Sequence, residues 1–69
     1  MDADQLELLR GLFVTAAEVI EDMHEAAMAG QDVHKGPSRY GKAADRIVSA
    51  AQQVRILAEA ASIVAKSRA

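Results

Sequence analysis

The stretch EVIEDMHEA, residues 18–26, holds the side chains of this chain whose spacing comes closest to chemistry. Glu21-x-x-His24 sets a carboxylate and an imidazole about one helical turn apart. One helix of a di-iron carboxylate centre supplies two ligands at that spacing. Glu18 and Glu25 lie nearby, and a dimer of hairpins offers further helices for the remaining ligands. Such centres, however, need their ligands directed inward. With Ile20 and Met23 on an apolar seam, Glu21 points outward and His24 only flanks the core, while Asp45 and Glu59 fall on the outer face of the second half. Glu-x-x-His also arises by chance in acidic helices. The expectation is a solvated helix face, with Glu21 and His24 the candidates for a metal and no cofactor expected.

Other reactive constellations are missing from the sequence. It contains no cysteine, which excludes a disulfide and a thiolate metal site. No serine has a histidine partner with supporting groups, since His24 and His34 stand apart from one another. The glycines at 11, 30, 36 and 41 follow no strand and form no phosphate loop. Gly11, inside LLRGLF, costs about 1 kcal/mol of helix propensity relative to alanine, so close helix approach or a bend is expected there. A non-enzymatic protein is expected.

The elements that position these residues are helices. The chain has 69 residues, enough for a single small domain, and fifteen of them are alanine. Alanine is the best helix former, and with 3% aromatic content the strand-favouring residues are scarce. The fold class is therefore all-α, an antiparallel two-helix hairpin of coiled-coil type. Leu6, Leu9, Phe13, Ala16, Ile20, Met23 and Ala27 step by three and four along the first half. Tyr40, Ala43, Ile47, Ala50, Val54, Leu57, Ala61 and Val64 do so along the second. Asp4 with Glu7 suits a capping box, Gly30 a left-handed C-terminal cap, and Ser38, after the blocking Pro37, an N-cap. These signals set helices at about 4–29 and 38–66, joined by a connector over 30–37. Folding back at Lys35 places Leu6 opposite Val64, Phe13 opposite Leu57 and Ile20 opposite Ala50, with large residues against small ones.

Two helices leave apolar residues uncovered. Leu8, Leu12 and Val19 are read as lying off the seam of the first helix, and Ile56, Ala60 and Ile63 share a face of the second. Exposed apolar clusters on a small protein mark an interface. A core this small supplies only about 3–5 kcal/mol unaided. These six residues are therefore expected at an oligomer or partner interface, with a homodimer forming a four-helix bundle as the simplest solution. In outline the chain resembles other short helical hairpins that work as dimers, such as Rop-type bundles that bind RNA and two-helix antiactivators that sequester a transcription factor. The likeness is one of architecture, with no shared motif. It is consistent with a regulator, adaptor or antiactivator that binds a partner protein through an apolar helical face.

Charge is divided between the halves. Residues 1–29 carry seven acids and one base, residues 30–69 three acids and seven bases, and the formal net charge is −2. Lys35, Arg39, Lys42 and Arg46 form a basic group at the hairpin end, a candidate patch for nucleic acid or another anionic partner. The alternative is complementarity inside the hairpin, with Glu21, Asp22 and Glu25 near Arg46, Lys42 and Arg39, which is preferred because Tyr40 alone is aromatic there. The segment GQDVHKGPSRY is then a connector. Its residues, His34 and Lys35 included, act through backbone geometry alone. The acidic start MDADQLELLR is unlike a signal peptide, and the longest uncharged runs fall short of the roughly 18 apolar residues of a span. A cytoplasmic protein without a membrane partner is expected.

Overall fold

The computed structural model describes residues 1–32 and 36–67, so expectations placed on His34 and Lys35, the fold-back point among them, lie outside the described residues. Two helices make up the described chain: α1, Ala3–Gly30, and α2, Pro37–Lys66. They pack against one another as a hairpin with principal extents of 53 × 14 × 11 Å.

The ends of the helices correct three expectations. The capping box of α1 is built from Asp2 and Gln5 rather than Asp4 and Glu7. The Gln5 N–H donates to Asp2 Oδ1 at 2.8 Å, and the Asp2 N–H donates to Gln5 Oε1 at 3.2 Å. Asp4 falls in the first turn instead, where a negative charge suits the helix dipole. At the start of α2, Gly36 is the N-cap and Pro37 opens the helix, so Ser38 is not the cap. Proline fits the first helical position because its missing N–H would have no partner there.

Gly30 is the third correction. It is the last residue of α1, and no described residue has a positive φ. Gln31 caps the helix at φ −84° and ψ −10°, its N–H donating to the Met28 carbonyl at 3.1 Å. Gly30 instead sits where the helices come close: a Cβ built there would lie 3.7 Å from the Ala43 Cβ. Just beyond, the Tyr40 hydroxyl donates to the Asp32 carbonyl oxygen at 2.9 Å, tying the chain after α1 to the first turn of α2. Gly11 has no neighbour within 4 Å of a built Cβ, so close helix approach does not explain it.

The seam of α2 runs where its periodicity places it. Ala43, Ala50 and Ala61 are buried, and Tyr40, Ile47, Val54, Leu57 and Val64 half-buried. The seam of α1 does not. The residues screened from water are Gln5, Leu9, Leu12, Ala16, Val19, Met23 and Ala26, again at alternating steps of four and three, with Ala27 half-buried beside them. Leu6, Phe13 and Ile20 lie one position along and are exposed, Phe13 at 60%. Leu12 and Val19, read as off the seam, are therefore in it. Both columns flank Leu9, Ala16 and Met23, and both are apolar enough to serve. The column chosen carries the smaller residues, and its one polar member, Gln5, has its side chain engaged in the cap. Small residues on both helices permit close approach, so among the described residues the buried core consists of Ala26, Ala43, Ala50 and Ala61, with no large side chain fully buried.

Helix α2 also bears on the expectation about membranes. By length and composition α2 could cross a bilayer, since an 18-residue window has a mean hydropathy of 1.2 with no more than two charged residues. Gln52, Gln53, Arg55 and Glu59 lie near the middle of that helix. Charged groups at mid-helix are costly in hydrocarbon, about 2.5–3.5 kcal/mol each on insertion scales.

Gly30 yields a direct check on this geometry. Gly30→Ala should stabilise the protein by about 0.5–1 kcal/mol, because the added methyl meets Ala43 at an ordinary contact distance and the helix loses an entropic penalty. A left-handed cap would produce the opposite sign. Chemical denaturation of the variant, read by circular dichroism, distinguishes the two.

Candidate functional site

The hairpin presents two broad flanks, and their chemistry differs. One is identified by two surface depressions. The first is lined by Ala29, Ser38, Arg39, Lys42, Ala43 and Arg46, the second by Val19, Asp22, Arg46, Ser49, Ala50 and Gln53. Asp22 and Ala29, seven apart on α1, thus face the same way as Arg39, Arg46 and Gln53, seven apart on α2.

The loop half of this flank gathers three of the four residues predicted as an anionic-partner patch. Arg39, Lys42 and Arg46 line one depression, and Lys35 lies outside the described residues. All three side chains are exposed. The predicted complementarity with Glu21, Asp22 and Glu25 is not realised as ion pairs. Among the described residues the ion pair present is Arg55–Glu59 within α2, at 2.9 Å and largely exposed. Such a pair contributes about 0–1 kcal/mol, so it does not organise the hairpin. Asp22 and Arg46 share the second depression without forming an ion pair. Helix α2 also begins here without a side-chain cap, which adds partial positive charge beside the three cations.

The terminal half of the same flank is apolar. Leu8 shares a column with Asp22 and Ala29, and Ala60 shares one with Arg39, Arg46 and Gln53. Ile56 and Ile63 stand one column further out on α2. Of the six residues expected at an interface, Leu8, Ile56 and Ile63 are exposed, Ile63 at 71%. Ala60 is half-buried, as are the seam residues Leu12 and Val19.

The opposite flank includes residues that periodicity places in the seam of α1. It carries Leu6, Phe13, Ile20 and Ala27 from α1 and Ala44, Ala51, Ala58 and Ala65 from α2. All are exposed except Ala27, which is half-buried. Each set repeats every seven residues without a polar member. In the sequence these are two unbroken apolar columns; on α1 the spacing is equally compatible with the seam, and on α2 alanine alone does not distinguish an exposed column from a buried one.

Glu21 and His24 are both exposed, and no group of three or more potential ligating side chains occurs among the described residues. His24 therefore does not flank the core as expected. Compared with known proteins, the chain matches no family model, no curated protein and no solved structure.

Proposed function

We propose that this chain is a small non-enzymatic interaction module that binds protein through its apolar helical faces and self-associates into a four-helix bundle. The observation that supports this reading is the imbalance between core and surface. Among the described residues the buried core is four alanines, while Leu6, Leu8, Phe13, Ile20, Ile56 and Ile63 are each 49–71% exposed. Exposed apolar area on this scale favours association at about 25 cal/mol per Å² removed from water. A regulator, adaptor or antiactivator acting in the cytoplasm fits such a surface, with the partner seated on Leu8, Ile56, Ala60 and Ile63.

If folding and association are coupled, the melting temperature depends on protein concentration. The expected outcome is a mass of about twice 7.3 kDa by light scattering at micromolar concentration, with a melting temperature that rises on concentrating the sample. A monomer with a cooperative, concentration-independent melt would sink the proposal.

A second reading has its own support, namely three cations around one depression with no ion-pair partner among the described residues. They suit a phosphate-bearing partner such as nucleic acid. Three phosphate contacts imply that affinity for duplex DNA falls on the order of 40-fold between 50 and 200 mM salt. Loss of that binding in a variant with Arg39, Lys42 and Arg46 all changed to Gln would establish it. No binding of single- or double-stranded oligonucleotides at 50 mM salt would remove it.

A further inference from the structure

The flank bearing Leu6, Phe13 and Ile20 beside Ala51, Ala58 and Ala65 is complementary to itself. We infer that a second copy of this chain covers it, related by a twofold axis along the length of the bundle, so that both hairpin connections lie at the same end. This inference rests on the reading that the chain self-associates, and it specifies the face and the orientation.

Size matching is the first argument. The register, with Gly30 near Ala43 and Val19 sharing a depression with Ala50, sets Leu6, Phe13 and Ile20 level with Ala65, Ala58 and Ala51 to within about a turn. A twofold along the long axis brings α1 of one copy against α2 of the other at unchanged height. Each large side chain then meets an alanine of the second copy, the arrangement that fills facing layers without voids. A twofold across the long axis sets α1 against α1 and α2 against α2. Phe13 would then meet Ile20 on one side of the bundle while alanine met alanine on the other, forcing unequal helix separations.

Charge gives the same orientation. With the connections at one end, every α1 lies between two copies of α2, setting the acidic half of the chain against the basic half. The reversed arrangement places two acidic helices side by side. Locally, Arg10 comes level with Glu59 of the second copy, and Glu7 with Lys66. Such rim pairs set orientation more than affinity. The area is also sufficient: a flank of 53 × 14 Å offers on the order of 700 Å² per copy, close to the roughly 800 Å² per partner of a standard interface. The terminal patch of Leu8, Ile56 and Ile63 stays outside this contact. Two sets of Arg39, Lys42 and Arg46 then lie at one end of the bundle on opposite outer faces.

The chain has no cysteine, so single-cysteine variants report the geometry directly. Phe13→Cys mixed with Ala58→Cys, and Leu6→Cys mixed with Ala65→Cys, are incubated in a glutathione redox buffer and resolved by mass. The expected result is a disulfide-linked heterodimer in both mixtures, with Phe13→Cys mixed with Ile20→Cys giving little. The second pair, close to the helix termini, covers the case in which the Phe13 change loosens the fold. Cross-linking of Phe13→Cys with Ile20→Cys instead would overturn the orientation while preserving self-association. A dimer by light scattering that cross-links in none of these mixtures would overturn the choice of flank. A monomeric wild-type protein would remove both the inference and the reading beneath it.

Discussion

The close approach of two alanine-lined helices is the constraint on which the rest of the molecule depends. Ala26, Ala43, Ala50 and Ala61 are the buried ones among the described residues, and at the connection the exposed Gly30 comes within contact distance of Ala43. An alanine core holds helices near each other, but it removes little apolar area from water. The burial that stabilises most small domains is therefore not present inside one hairpin. Phe13, Leu6 and Ile20 would contribute more to a two-helix core than Leu12, Val19 and Gln5 do. That they lie outside it is the imbalance on which the proposed self-association rests.

How much of this was legible in the sequence depends on the helix. On α2 the columns beside the seam are alanine on one side and largely polar on the other, so Ala43, Ile47, Ala50, Val54 and Leu57 are recognisable as the seam from spacing alone. On α1 the apolar stripe is three columns wide. Spacing finds Leu9, Ala16 and Met23 but cannot choose between Leu12 and Phe13, or between Val19 and Ile20, because either neighbour completes a step of three or four. The choice is made by what fits against α2. The caps failed for a related reason: Asp2 and Asp4 offer the same chemistry two residues apart, and the pairing of Asp2 with Gln5 decides between them.

The surfaces follow from that choice. One flank is apolar from end to end, and the other is split between cations near the connection and aliphatic residues near the termini. The proposed self-association and the proposed partner binding would therefore use different faces. The Glu21 and His24 pair, the most chemically suggestive spacing in the chain, falls on exposed positions of an acidic helix and does not join these surfaces.

Phe13 lies outside the hairpin seam and is 60% exposed in one chain, and in the proposed dimer a second chain covers it. The chain lacks tryptophan, so Phe13→Trp places a single indole reporter at that position. Its fluorescence, followed from nanomolar to micromolar concentration, should move from the emission of a solvated indole to that of a buried one as the mass doubles. Blue-shifted emission from a species shown to be monomeric would place this residue in the seam of a single hairpin, and solvated emission from an established dimer would leave it uncovered; either result overturns the proposed packing.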